Sequence, residues 1–220
     1  MRGTEMTKRI AFQGEPGAYS HQACREARPG LEPLPCATFE DAIEAVRKGN
    51  AVEAMLPVEN STYGRVADIH QLLPDSGLKI IEECFVRVHI NLLAVPGAVL
   101  RDVKAAQSHT VLLGQCRDFL REHDIAPIVG ADTAGSAQHV AELADPSCAA
   151  LASELAGEIY GLNVLARHIE DHDKNTTRFL IMSREMDMKR RGKVGMKTTF
   201  VFRVRYIPAA HYKEMGGYAT

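Results

Sequence analysis

The sequence predicts an α/β protein of two lobes with a cleft between them. Three observations carry this. Apolar strand-like runs alternate with amphipathic helix-like runs along most of the chain, the pattern of largely parallel sheets covered by helices. Residues 79–95 form a Val- and Ile-rich stretch too long for one ordinary strand. It reads as two strands in two lobes, with the crossing near 84–86. A second polar connection near 172 leads into the apolar run Phe179-Leu180-Ile181-Met182. The first lobe is then discontinuous, about 8–84 plus 173–184, and the second covers about 85–172. A ligand would sit between them, a common place for small-molecule sites.

Residues 9–13 read as the first strand. It ends in Gly14-Glu15-Pro16-Gly17-Ala18-Tyr19-Ser20, a turn with Ser20 placed to cap the next helix. A glycine-bearing turn lets backbone N–H groups approach an anion. This one is neither GxGxxG nor a P-loop, so it is weak support for a nucleotide. Residues 38–48 are the clearest helix. Phe39, Ala42, Ile43 and Val46 fall at i, i+3, i+4 and i+7, Thr38 and Asp41 form a capping pair, and Gly49 is a stop. Residues 51–58 read as a buried strand running into Glu59-Asn60-Ser61-Thr62-Tyr63-Gly64, and 66–73 as a helix closed by Gly77. In the second lobe the strands are 103–107, 126–131, 148–152 and 162–166. The helices are 110–123, 133–144 behind the cap Asp132, and 154–160 behind the cap Ser153.

Hydrophobic residues at 45%, charged residues at 25% and a formal charge of −2 describe an ordinary soluble chain without a global basic footprint. No nucleic-acid partner is expected. Arg184, Lys189, Arg190, Arg191 and Lys193 form a basic run interrupted by Glu185, Asp187 and Gly192, read as a solvated linker. The five cysteines, Cys24, Cys36, Cys84, Cys116 and Cys148, have no CxxC spacing, which fits reduced thiols in a cytoplasmic protein. No zinc-ligand spacing, signal segment or membrane span is visible.

Four polar groups sit at predicted strand ends: 14–20, 59–64, Ser108-His109 with Gln115-Cys116, and Asn175-Thr176-Thr177-Arg178-Phe179. Ligands bind at such ends in open α/β sheets. Thr177 can donate one O–H bond, and Arg178 can fork onto a carboxylate. The alternative is that Thr176 or Thr177 caps a strand and Arg178 is a surface charge. In their order, these groups resemble the motifs of the prephenate dehydratase family, over about residues 9–183. Thr177-Arg178-Phe179 matches its Thr-Arg-Phe signature, and Pro57-Val58-Glu59-Asn60-Ser61 with Gly64 its Pro-Val/Ile-Glu-Asn-Ser pattern. Ser108-His109 with Gln115-Cys116, and Gly14, Gly17 and Ser20, match two more.

The resemblance implies a periplasmic-binding-protein-like type II fold and a homodimer. It implies a reaction in L-phenylalanine biosynthesis: prephenate loses its ring hydroxyl and a carboxylate, giving phenylpyruvate, water and carbon dioxide. No cofactor or metal is required, because the ring becomes aromatic. The family's leaving-group role falls on Thr177, acting as a hydrogen-bond donor or through a water relay. Arg178 either binds a substrate carboxylate or braces the lobes. Asn60 and Gln115 offer amides to orient substrate, with Ser61, Ser108 and Thr176 as further contacts; Ser108 also suits a helix cap. His89 reads as a half-buried strand residue, His109 as a helix-start residue, Cys116 as a small apolar residue, and Glu154 as a helix-start carboxylate.

Residues 197–205 alternate as a strand, and 207–215 read as a helix with Pro208 early and Gly216 after it. They resemble the opening of an ACT domain, a ferredoxin-like βαββαβ module that senses phenylalanine. The expected organisation is a catalytic domain over 8–184, a linker over 185–196 and an incomplete ACT segment over 197–220. That segment would pack on a partner chain or be poorly ordered, with phenylalanine a weak or lost effector. Two other readings share these residues. One is arogenate dehydratase, whose substrate has an amino group in place of the keto group. The other is a non-catalytic small-molecule-binding α/β protein, since two lobes and a cleft also serve solute-binding proteins.

Overall fold

A computed structural model describes residues 8–186 and Lys197. Apart from 185, 186 and 197, the predicted linker and ACT segment lie outside the described residues. The first sheet begins with β1 (Arg9–Gln13), where Ile10, Ala11 and Phe12 are fully buried. Helix α1 (Tyr19–Ala27) starts one residue before Ser20, and no side chain caps it. Ser20 is therefore inside the first turn and is not the cap. Strand β2 (Glu32–Cys36) is an element that periodicity does not announce, because Pro33 and Pro35 interrupt it. It lies at the sheet edge, and the N–H of Glu32 donates to the Lys8 carbonyl of the neighbouring segment at 3.0 Å. Alternation turns the nitrogens of Pro33 and Pro35 outward, where no ladder bond is required.

Helix α2 (Phe39–Arg47) has the predicted capping box, with the Asp41 N–H donating to Thr38 Oγ1 at 3.1 Å and the Thr38 N–H to the Asp41 carboxylate at 3.3 Å. Thr38→Ala is expected to cost about 1 kcal/mol, read as a midpoint lowered by roughly 2–4 °C in thermal unfolding, with activity unchanged. Then come β3 (Glu53–Asn60), β4 (Gly64–Arg65) and α3 (Ala67–Leu72). Strand β5 (Lys79–Arg87) runs past the crossing expected at 84–86, and the chain passes to the second lobe through 88–90.

The second lobe contains β6 (Asn91–Ala94), β7 (Ala105–Ser108), α4 (Thr110–Gln115), α5 (Arg117–Glu122), β8 (Ala126–Val129), α6 (Thr133–Leu143), β9 (Cys148–Ala152), α7 (Glu154–Tyr160) and β10 (Asn163–Ala166). The single helix expected over 110–123 is two. Asp171, on the return connection, accepts from the N–H groups of Arg117 and Asp118 at 3.0 and 3.2 Å and so starts α5 afresh. Its own N–H donates to the Gln115 carbonyl at 2.6 Å. The break leaves Gln115 as the last residue of α4, beside the return connection.

The chain re-enters the first lobe as β11 (Thr176–Ser183), inserted between β3 and β5 and antiparallel to both. The sheet orders are β2-β1-β3-β11-β5, with β4 on β3, and β10-β6-β9-β7-β8. The sheets are mixed, not largely parallel: β1 and β7 have parallel neighbours, while β6 and β11, which follow the crossings, run antiparallel to theirs. Strand β11 is buried on both faces. Phe179 and Ile181 join Ile10, Phe12, Met55 and Val86, while Leu180 and Met182 join Ala42, Val46, Leu56 and Val58. That double burial explains the unbroken apolar run and fixes the register of Thr177 at its head. Among the described residues no helix is long and apolar enough to cross a membrane.

Candidate active site

Register brings the first two site residues together: Thr177 on β11 pairs with Asn60 on β3. Asn60 Nδ2 donates to Thr177 Oγ1 at 2.9 Å and to Asn175 Oδ1 at 2.7 Å. Asn60 Oδ1 accepts from the N–H groups of Thr62 and Tyr63 at 2.9 and 3.0 Å. All four hydrogen-bonding positions of this amide are filled from within the protein. Asn60 is thereby directed at the Thr177 hydroxyl from the neighbouring strand. Asn175 continues the chain of bonds, because its Nδ2 donates to Gln115 Oε1 at 2.9 Å. A side chain of the second lobe thus reaches Thr177 through two amides.

The serines have structural duties. The Ser61 hydroxyl donates to the Lys174 carbonyl and accepts from the Thr176 N–H at 3.0 Å, while the Ser61 N–H donates to the Thr176 carbonyl at 2.9 Å. Ser61 and Thr176 thereby hold the return connection onto the end of β3. Ser108 is fully buried and donates to the Leu151 carbonyl at 2.7 Å. It does not cap α4. The cap is His109, whose Nδ1 accepts from the Val111 N–H at 3.3 Å.

Arg178 points to acids of its own sheet. Its guanidinium lies 2.8 Å from Glu83 and 3.6 Å from Glu59. Both partners belong to the first lobe, so Arg178 does not brace the two lobes as one expectation had it. The bracing is done by residues that sequence reasoning missed. Tyr63 donates to the Val111 carbonyl at 3.0 Å, Ser153 to the Gly17 carbonyl at 2.6 Å and Tyr160 to the Pro16 carbonyl at 2.9 Å. The Gly17 N–H is taken by His21 Nδ1 at 3.0 Å, so the glycine turn does not present that donor to an anion.

At the crossings, Glu170 accepts from the Ile90 N–H at 2.9 Å and lies 3.1 Å from His89 Nδ1. His89 stacks on His168 with ring centroids 4.0 Å apart and sits in the crossing, not in a strand. Tyr19 donates to the His89 carbonyl at 2.9 Å. Burial, with Cys116 and Glu170 nearby, pushes its phenol well above its ordinary pKa and keeps it a neutral donor. A cavity of about 420 Å³ lies between α1 and α7 and is lined by Gln22, Arg25, His89, Glu154 and Glu158 among others. The Thr177 network does not line it. Glu154 starts α7 as expected and pairs with Arg167 at 2.5 Å. Cys116 is fully buried at the α4–α5 break.

The family model for prephenate dehydratase matches residues 10–187. The chain belongs to the prephenate dehydratase family. It is 49% identical over 211 residues to the bifunctional N-acyl-homoserine lactone acylase/prephenate dehydratase of Komagataeibacter europaeus, covering 96% of this chain and 75% of that one. It is 39% identical to the chloroplastic arogenate dehydratase/prephenate dehydratase 1 of Arabidopsis thaliana, covering 99% of this chain and 55% of the plant protein. The chain therefore spans three quarters of the bacterial relative and about half of the plant one. The crystal structure of the prephenate dehydratase of Arthrobacter aurescens in complex with L-Phe superposes with a TM-score of 0.81 at 29% identity, over 96% of this chain and 71% of that one. In this prephenate dehydratase family member the two-lobed α/β fold is the family's own.

Proposed function

We propose that this chain catalyses the decarboxylative dehydration of prephenate to phenylpyruvate. The unit that does so is residues 8–184, with 185–196 as a linker and 197–220 as the opening of an ACT domain. The observation that carries the proposal is the state of the Thr177 hydroxyl. Its oxygen accepts from Asn60 at 2.9 Å, so its own proton is left to be donated elsewhere. In the reaction the bond to the lost carboxylate breaks and its electron pair enters the ring. That pair displaces the C–O bonding electrons onto the leaving oxygen, and the departing hydroxide takes a proton from solvent to leave as water. Thr177 donates a hydrogen bond to that oxygen as negative charge builds on it, which stabilises the transition state more than the ground state. Aromatisation supplies the driving force. Arg178 is the cation of the group, held in reserve by Glu83 and Glu59 and able to exchange a carboxylate partner for one on the substrate.

The name of the Komagataeibacter relative also carries an acylase activity. Amide hydrolysis calls for an activated nucleophile or water. Among the described residues no histidine ring is hydrogen-bonded to a Ser, Thr or Cys side chain. Burial pushes the Cys24, Cys36 and Cys116 thiols up, and that of Cys84 to about 11, away from reactive thiolates. The dehydratase reading is the better supported. Five free cysteines support a reducing, cytoplasmic setting, and family resemblance supports a homodimer.

The experiment is a turnover assay of the purified protein on prephenate without added metal or nucleotide, read as phenylpyruvate appearance. Saturable turnover is expected, with kcat/KM on prephenate above that on arogenate. Folded protein that yields no phenylpyruvate from prephenate overturns the reading, and a higher kcat/KM on arogenate reassigns the substrate.

A further inference from the structure

Asn175 is 4% exposed and lies where the return connection meets β11. Its carbonyl accepts from the Val88 N–H of the other crossing at 2.9 Å, so its backbone ties the two crossings together. Its side chain is held from both lobes. Oδ1 accepts from Asn60 in the first, and Nδ2 donates to Gln115 in the second, which is 9% exposed. Beyond Asn60 stands the Thr177 hydroxyl. The amide orientations in this chain are dictated by its ends. Two N–H groups, of Thr62 and Tyr63, face Asn60 Oδ1. Turning the Asn60 amide over would set donors against donors there, and an oxygen against Asn175 Oδ1 and the Thr177 oxygen. One lone pair of Thr177 is thereby occupied, and the direction left for its proton is narrowed.

We propose that Asn175 is a positioning residue that couples Gln115 of the second lobe to the hydroxyl of Thr177. It acts through Asn60 and does not touch the reacting atoms. With Gln115 in place, Asn175 is clamped at both ends and Asn60 is fixed, so the Thr177 donor is aligned only when the two lobes are together. The role rests on the dehydratase reading, while the bond relay itself can be tested without turnover.

The test compares Asn175→Ala and Asn175→Asp with the unaltered chain, and Asn175→Ala with and without Thr177→Val. Three quantities are read: kcat and KM on prephenate, hydrogen exchange at the Thr62 and Tyr63 amides, and the unfolding midpoint. Asn175→Ala is expected to lower kcat roughly ten- to hundredfold, as small misplacements of a reacting group do, with KM within about twofold. It is also expected to speed exchange at both amides, because a released Asn60 no longer accepts from them. Asn175→Asp keeps the size and the acceptor facing Asn60, and Gln115 can meet it by turning its amide over. It is expected to keep the exchange protection and to retain more kcat than Asn175→Ala. In the Thr177→Val background, Asn175→Ala should cause no further loss, since no hydroxyl remains to align. An equal fractional loss in both backgrounds assigns Asn175 a purely structural part and overturns the proposal. So does unchanged exchange at Thr62 and Tyr63, or Asp behaving like Ala. If the unaltered chain gives no phenylpyruvate, the dehydratase reading fails, and the exchange comparison alone decides whether the relay exists.

Discussion

Thr177→Val is expected to lower kcat on prephenate by roughly a hundred- to a thousandfold, the size of losing one preorganised donor to a developing negative oxygen. Valine keeps the shape and the strand preference of threonine and removes only the hydroxyl. KM is expected to move little, because the donated bond strengthens as the C–O bond breaks and is weak in the ground state. The substitution also leaves one Asn60 N–H without its acceptor at 2.9 Å. That position is only part-buried, so water can take the bond, and the unfolding midpoint should fall by a few degrees at most. Thr177→Ser is the control: it restores the hydroxyl on the same register position and should recover most of the rate. Near-normal turnover by a folded Thr177→Val protein would remove the hydroxyl from the chemistry and leave Thr177 as the acceptor that ends the Asn60 network.

The particular residues show what a sequence can and cannot carry. The capping box of α2 was legible because every partner lies within three residues. The apolar run after Arg178 was legible because burial on both sheet faces leaves no polar position in it. The resemblance brought Asn60, Gln115 and Thr177 onto one list, and the register of β3 on β11 makes two of them neighbours. Illegible features depend on partners far along the chain. The split of 110–123 is imposed by Asp171, more than fifty residues on. Arg178 turns to Glu83 because of a neighbouring strand, not because of its own surroundings in sequence. At Asn60 the sequence shows an amide at a strand end with two donors and an acceptor to offer; only the fold shows that Asn175 and Thr177 accept from its Nδ2 while the Thr62 and Tyr63 N–H groups donate to its Oδ1. The sequence signal at Asn175 is an amide set between an acidic turn and a buried strand, which residue type alone does not distinguish from a turn former.

Gly17→Ala should be among the most damaging single changes to stability, and the reason is geometric. Gly17 has φ +95°, a conformation that side chains rarely adopt. A Cβ there would stand 2.8 Å from Ala156 Cα and 2.9 Å from Ala156 Cβ on α7. A helix backbone cannot step aside as the tip of a flexible side chain can, so the turn must lift off the helix. Lifting it breaks the bond from Ser153 to the Gly17 carbonyl and the bond from Tyr160 to the Pro16 carbonyl. Backbone strain costs about 1–3 kcal/mol and overpacking a further 1–3 kcal/mol or so. The unfolding midpoint is then expected to fall by roughly 5–15 °C for a chain of this size. Both lost bonds join the first lobe to the second, so KM for prephenate should rise as well, in contrast to Thr177→Val. Ser153→Ala isolates one of those bonds, together with the N-cap of α7 to Ala156, and should cost about 1–2 kcal/mol. If Gly17→Ala left both the midpoint and KM near their original values, the turn would not be seated on α7 in solution. The closed contact between the lobes, and with it the path from Gln115 to Thr177, would then lose its support.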